Sequence, residues 1–240
     1  MAERINTPEF HDSAELHVKG RATYVDDIPV PSTCLHILLG LSKIASGEIS
    51  KMDLQGVRDS PGIMDVITAK DIPGKNDSSP IFGDDPIFAE NEVFYDGQVI
   101  FGVIAETLES AKVAIKKAKI EYLEKPPIIT LEQAKLEKTL LCAPKTLSQG
   151  DFATSIKHSN FLVEGEISIG GQEHFYLEGQ AALALPKEGE DIQIYVSSQH
   201  PTEVQHKVAD VLGLPLHNVT IEVRRMGGAF GGKESQANLP

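Results

Sequence analysis

The chain has 240 residues, of which 41% are hydrophobic and 24% are charged, and its formal net charge is −13. This composition is typical of a soluble globular protein, and the acidic balance argues against nucleic acids and anionic membranes as partners. The two cysteines, Cys34 and Cys142, are too few for a disulfide scaffold, a zinc finger or an iron–sulfur domain.

The first half of the chain predicts a compact α+β domain. A rigid turn is expected where Asp26 and Asp27 precede Pro29 and Pro31, and Thr107 is expected to cap a helix. The expected elements are strands at 35–41, 63–67, 99–105 and 120–123, a turn at Pro61-Gly62, and a helix with Leu108, Ala111, Ile115 and Ala118 on one face. The run at 99–105 is apolar throughout, which predicts a strand covered on both faces. With the proline-rich connector and an amphipathic stretch at 131–140, this domain is assigned to residues 1–145.

A second domain is expected over residues 146–240, with the boundary near Gly150. Alternating apolar residues predict a strand at 161–169, and a hairpin follows with strands through 182–184 and 192–196. A helix is expected with Pro201 in its first turn and Gly213 at its end, before a strand at 219–224.

The glycine-rich run at 227–234 (GGAFGGKE) follows that last strand and is the strongest candidate for a ligand loop. Glycine permits a positive φ and a close approach of the backbone to a bulky group, and turns rarely need four glycines. The run also fits the G-x-x-x-x-G-K pattern of phosphate-binding loops, but Glu234 stands where that motif needs a serine or threonine. Nucleotide binding through Lys233 therefore stays as an alternative.

Several polar residues accompany this loop in the sequence. Gln172 follows two glycines, and its amide can donate to an oxo group or to another ligand oxygen; an ordinary turn residue is the equal alternative. His174 has no second histidine or cysteine at ligand spacing, which favours a structural role. Glu178 is expected either to be buried and paired or to line the pocket. The pair Arg224-Arg225 is expected either to neutralise a phosphate or to form a salt bridge.

Four segments together resemble the molybdenum hydroxylases. They are residues 20–29 (GRATYVDDIP), 170–178 (GGQEHFYLE), 199–201 (QHP) and 225–234 (RMGGAFGGKE). The similarity covers nearly the whole chain, in order, and is greatest to the molybdopterin-binding subunits of bacterial xanthine dehydrogenases. It implies an α/β hammerhead domain followed by the start of a molybdopterin-binding α+β domain.

The resemblance also implies roles for residues. Gln172 resembles the glutamine that hydrogen-bonds the molybdenum oxo ligand, and Glu234 resembles the carboxylate that binds the purine in xanthine dehydrogenases. Aldehyde oxidases usually carry an apolar residue there, so Glu234 favours purines. The loop residues expected at the cofactor, the metal or the substrate are Gly228, Ala229, Phe230 and Gly231, with Phe230 near both the metal and the substrate.

The implied activity is hydroxylation of purines such as hypoxanthine and xanthine, with oxygen derived from water. No catalytic base is assigned within the chain; it is expected beyond Pro240, so the chain alone is expected to be inactive. The molybdenum–molybdopterin cofactor is expected here, and 2Fe-2S clusters and FAD are expected on a partner subunit of a hetero-oligomer. The alternatives are an aldehyde oxidase, the nucleotide-binding module and a non-catalytic truncated fragment.

The two ends of the chain carry further expectations. The start has no apolar leader and no apolar run is long enough to span a bilayer, so the expected compartment is the cytoplasm. The sequence stops at Pro240, just past the glycine loop, where a helix is expected to begin. We therefore expect an N-terminal piece of a longer protein.

Overall fold

The computed structural model describes residues 10–234, which form two compact units. One unit combines residues 10–125 with 174–234, and the other contains residues 126–173. The helix expected after the glycine loop lies outside the described residues. The strands of the described part are β1 (His36–Leu41), β2 (Gly47–Asp53), β3 (Ile63–Thr68), β4 (Glu92–Val93), β5 (Val99–Ala105), β6 (Lys119–Glu124), β7 (Ala182–Pro186), β8 (Ile192–Val196) and β9 (Val219–Glu222). Its α-helices are α1 (Ala14–Val18), α2 (Gln55–Arg58), α3 (Leu108–Ala114), α4 (Leu131–Leu136), α5 (Phe152–His158) and α6 (Pro201–Leu212).

The first sheet has the order β1-β5-β3, with β5 pairing antiparallel to both neighbours. The prediction of a strand at 99–105 covered on both faces is confirmed, since six of its seven residues are buried. Thr107 caps α3 as predicted, because its Oγ1 accepts the N–H of Ser110 at 3.1 Å. The predicted apolar face of α3 is only partly buried: Ala111 lies in the core, whereas Leu108 is exposed.

The second sheet has the order β4-β2-β6 and contains two strands, β2 and β4, that the sequence pattern did not predict. β2 pairs antiparallel with β6, and its register shifts between Ile49 and Lys51. Ile49 and Met52 both pack against the core that contains Ile100 and Val103. The two sheets therefore share one apolar core.

The third sheet positions the glycine loop. β7 and β8 form the predicted antiparallel hairpin, whereas β8 and β9 are parallel. Parallel neighbours need a crossover, and α6 provides it. Val204 of α6 is buried together with Ile194 and Val196 of β8. The carboxyl ends of β8 and β9 therefore lie at the same edge, and the glycine loop leaves from that edge.

Both predicted ends of α6 are confirmed. Pro201 is its first residue, and Gly213 ends it with φ of 67°. The C-terminal part of α6 contacts the segment that follows β3: the N–H of Gly74 donates to the carbonyl of Val211 at 2.8 Å, and Lys75 pairs with Asp210 at 3.1 Å. This helix therefore joins the third sheet to the first half of its unit.

The predicted strand at 161–169 is wrong. Residues 159–173 contain no helix or strand, and Val163 and Ile167 are 93% and 81% exposed. A strand needs a neighbour to take its backbone hydrogen bonds, and no described strand pairs with this segment. The regular structure of the 126–173 unit consists of α4, capped by Thr130, and α5, capped by Asp151. The strand predicted at 219–224 is shorter than expected, because β9 ends at Glu222.

Candidate functional site

The glycine loop, residues 227–233, turns back on itself after β9. Gly228 and Gly231 have φ values of 99° and 92°, and Phe230 between them has φ of 56°. A phenylalanine with positive φ is uncommon, and such conformations are often associated with function. The Phe230 side chain is 75% exposed, as expected for a large aromatic residue with little local packing.

The main chain of the loop is held at both ends. The N–H of Gly227 donates to Oε2 of Glu178 at 2.7 Å. Near the other end, Oε1 of Gln199 accepts the N–H of Gly231 at 2.9 Å and that of Lys233 at 3.3 Å. The N–H of Gln199 returns a bond to the carbonyl of Lys233 at 2.7 Å.

Three consecutive N–H groups in the middle of the loop differ from those at its ends. Within residues 10–234, the N–H groups of Gly228, Ala229 and Phe230 have no protein acceptor. Successive N–H groups in a turn with alternating φ signs form a concave site that suits an anionic or oxo ligand. The loop therefore offers backbone donors beside an exposed aromatic ring.

Lys233 is the last residue of this loop, and its side chain is fully buried. Its Nζ donates to Ser197 Oγ at 2.6 Å, lies 3.5 Å from Oε2 of Glu178, and sits 4.6 Å from the centre of the Tyr176 ring. A phosphate-binding lysine must reach out to its ligand, whereas this ammonium points into the protein. The alternative of nucleotide binding through Lys233 is therefore wrong.

Glu178 is mostly buried, with 12% of its side chain exposed, and it is paired with Lys233, in agreement with one of the two sequence interpretations. Burial by itself raises the pKa of this carboxyl group, but the Gly227 N–H, the Ser197 hydroxyl and the Lys233 charge outweigh it, so the pKa is lowered. Glu178 is thus ionised at neutral pH. All three of its contacts fall on Oε2, and Oε1 is buried without a donor in the described part of the chain.

The two arginines before the loop have separate structural roles. Nε of Arg224 forms the salt bridge that the sequence suggested, with Oε1 of Glu222 at 2.8 Å. Arg225 reaches the first segment of the unit, donating to the carbonyl of Thr23 at 2.7 Å and to Ser13 Oγ at 3.3 Å. Both side chains thus have protein partners.

The predicted site residues fall in two groups. Gly228, Ala229, Phe230, Gly231 and Glu234 lie in one continuous turn, and Glu234 is exposed. Gln172 is also exposed but belongs to the 126–173 unit. The His174 ring lies 6.3 Å from that of Tyr176, and residues 10–234 contain no group of three acidic, histidine or cysteine side chains suited to a metal ion.

Gln199 lies in one of the four segments of resemblance, but no role was assigned to it from the sequence. Its oxygen accepts two loop N–H groups, which leaves its Nε2 as a donor that the loop does not use. The signal was present, because Gln199 follows the end of β8 and the loop follows the end of β9. Ligands in open α/β sheets bind outside the carboxyl ends of parallel strands.

Comparisons with known proteins identify the same family as the four sequence segments described above. Residues 19–126 match the model of the aldehyde oxidase and xanthine dehydrogenase a/b hammerhead domain, and residues 134–239 match that of the molybdopterin cofactor-binding domain. The chain is 41% identical to aldehyde oxidase 2 of Rattus norvegicus over 97% of its length, and 38% identical to xanthine dehydrogenase/oxidase of Gallus gallus over its whole length. The aldehyde oxidoreductase of Desulfovibrio gigas superposes with a TM-score of 0.81 at 26% identity, over 92% of this chain and 27% of that one.

The chain is much shorter than these relatives. It spans 17% of the rat protein and 18% of the chicken protein. None of the helices described in residues 10–234 has the length and apolar character that a membrane crossing requires.

Proposed function

The chain belongs to the molybdenum hydroxylase family, and on that premise we propose that it forms the hammerhead domain and the first cofactor contacts of a xanthine dehydrogenase-type molybdenum subunit. The whole enzyme would hydroxylate purines, with 2Fe-2S clusters and FAD carried by a partner subunit in a hetero-oligomer. The observation that carries the proposal is the glycine loop, which combines three backbone donors, an exposed phenylalanine and a neighbouring carboxylate.

The residues of this loop fit a molybdopterin cofactor. The N–H groups of Gly228, Ala229 and Phe230 suit the oxygen atoms of such a group, and the loop is tightly supported, since a Cβ at Gly232 would lie 2.8 Å from the Tyr176 ring. When bound, the molybdenum cofactor supplies the redox centre that takes up the two electrons lost by the substrate carbon. The chain itself binds and orients the cofactor and the substrate.

Two amides are candidates to donate a hydrogen bond to the metal's oxo ligand. Gln172 is the candidate from the sequence resemblance and remains a prediction. Gln199 is the candidate that the geometry supports, because the loop N–H groups hold its oxygen and so orient its Nε2. We propose Gln199 for this role.

Phe230 and Glu234 are proposed to contact the substrate. The exposed ring of Phe230 offers a flat apolar face for a heterocycle. Glu234 lies four residues further on, and its carboxylate can accept hydrogen bonds from purine N–H groups. These bonds would fix the position of the ring relative to the cofactor, and such orientation of the reacting groups lowers the barrier.

An aldehyde oxidase is the second candidate, because the rat aldehyde oxidase is at least as similar as the chicken xanthine dehydrogenase/oxidase. Glu234 is the feature that favours purines. Glu234→Val in the assembled enzyme is expected to lower kcat/KM for xanthine by up to about a hundredfold, because an unsatisfied polar partner costs about 1–3 kcal/mol. Turnover of an aromatic aldehyde should hold or rise.

Glu190→Val is the matched control, since Glu190 is an exposed carboxylate in the turn between β7 and β8. All rates are normalised to bound molybdenum. Equal losses for xanthine and the aldehyde in Glu234→Val would mean that Glu234 is structural, and the purine proposal would then give way to the aldehyde alternative.

A further inference from the structure

Tyr176, Glu178, Ser197 and Lys233 form a cluster that contacts the glycine loop, with Ser197 and Lys233 buried and the other two side chains partly buried. It holds one ammonium and one carboxylate, of which the first is fully buried. Removing two charges from water is costly, and apolar residues of similar volume are often as stabilising as a buried ion pair. A gain in the free energy of unfolding is therefore a poor explanation for the presence of this ion pair. Its hydrogen bonds do, however, fix the conformation of the glycine loop.

The bonds of the cluster join the two ends of the loop. Oε2 of Glu178 accepts the N–H of Gly227, where the loop begins, and lies 3.5 Å from Nζ of Lys233, where it ends. Ser197 bridges the same two charged groups, since its Oγ accepts from Lys233 at 2.6 Å and donates to Glu178 at 2.7 Å. A single carboxylate oxygen therefore contacts both the first and the last residue of this seven-residue loop.

Close packing leaves the loop little room to move while the cluster is intact. A Cβ on Gly227 would lie 2.5 Å from Cβ of Glu178, and one on Gly232 would lie 2.9 Å from the His174 ring. The main chain therefore rests directly on the segment that carries Tyr176 and Glu178. A shift of that segment moves the loop with it.

We propose that Glu178 and Lys233 are positioning residues, which fix the main chain of residues 228–230, whose N–H groups have no acceptor within residues 10–234, before a cofactor binds. This proposal rests on the proposed function in one respect, which is that the cofactor is the ligand of those N–H groups. Preorganised donors need no rearrangement on binding, so they favour retention of the ligand. Both residues would act through the main chain of the loop and not by contact with the ligand.

The test uses three variants of the assembled enzyme: Lys233→Met, Glu178→Gln, and both together. Lys233→Met leaves an unpaired buried carboxylate and should unfold at a lower temperature than the native enzyme. Adding Glu178→Gln removes that charge, so the double variant should recover most of the lost Tm. Lys125→Met is the control, because Lys125 pairs with Glu48 and Glu92 at the surface.

Two measurements are made on each variant: amide hydrogen exchange of the 227–233 peptide, and molybdenum bound per folded subunit. In the double variant we expect exchange in the loop to be about tenfold faster, which corresponds to ~1.4 kcal/mol. Bound molybdenum should fall several-fold although Tm is recovered. The surface control should match the native enzyme in both measurements.

A purely structural cluster gives a different result, since loop exchange and molybdenum content would recover together with Tm. That outcome overturns the proposal. If loop exchange is fast but molybdenum content is unchanged, the cluster does position the loop, but the proposed contact between the loop and the cofactor is wrong. Failure of the positioning proposal and failure of the proposed cofactor contact therefore give different results.

Discussion

Replacing Gln199 with alanine tests the geometry of the site most directly. The substitution removes the acceptor of two loop N–H groups, those of Gly231 and Lys233. Each such bond contributes a net 0.5–1.5 kcal/mol, so the loss is about 1–3 kcal/mol. Water can solvate the N–H of the exposed Gly231 after the substitution, which reduces its share of the loss, whereas the N–H of the buried Lys233 would stay without an acceptor. For a domain of this size each kcal/mol lowers Tm by roughly 2–4 °C.

Gln172→Ala is the comparison variant, because Gln172 is exposed and lies in the 126–173 unit. It should leave Tm almost unchanged. The assay is substrate turnover per bound molybdenum in the assembled enzyme, together with Tm and metal content. We expect a larger loss of turnover in Gln199→Ala. Normal turnover in Gln199→Ala, with a large loss in Gln172→Ala, would refute the geometric argument and return the role to Gln172.

Three further predictions concern stability. Gly74→Ala should cost about 1–3 kcal/mol in the free energy of unfolding, because a methyl group there overlaps the carbonyl oxygen of Asp210, whereas Gly56→Ala meets only ordinary contacts and serves as the control; equal Tm values for the two would contradict the close packing at Gly74. Thr107→Ala removes the cap of α3 and should cost about 0.5–2 kcal/mol, measured by denaturant unfolding; an unchanged midpoint would show that the cap is not needed. Glu178 has a lowered pKa, so its contribution to stability is complete above the ordinary carboxyl pKa and is lost as the pH falls through the lowered value. The Tm difference from Glu178→Gln should therefore be constant near neutrality and should narrow below about pH 4, and a constant difference down to pH 2 would show that the charge is not responsible.

The elements with purely local signals were predictable. β5 follows from an uninterrupted apolar run, and α6 from Pro201 at its start and Gly213 at its end. Both signals come from the conformational preferences and the hydrophobicity of the residues themselves. The tertiary structure agrees with these local preferences at both elements. The glycine loop was predictable for the same reason, since a positive φ at Gly228 and Gly231 is a property of the residue type.

The errors arise where structure depends on a partner or on an irregularity. β2 escaped prediction because its register shifts after Ile49, so that Ile49 and Met52 reach the same core although they are three residues apart. Such a bulge breaks the period of two on which strand prediction relies. The alternation at 161–169 was real, but a pattern of apolar residues makes a strand only where another strand pairs with it.

The position of Gln199 beside the glycine loop depends on tertiary structure, so it could not be read from the sequence alone. Sequence patterns supplied β8, α6 and β9 separately, but not that β8 and β9 are parallel neighbours. That pairing brings Gln199, after β8, to the loop that follows β9. Near the end of α6, the same helix that makes the crossover, Val211 packs against the cluster of Ile87, Phe88 and Val99 in the first half of the unit. The segment around Gly74 therefore supports, through a single helix, the strand end that carries the amide, so a substitution at Gly74 is expected to disturb the loop as well as to lower the stability of its unit.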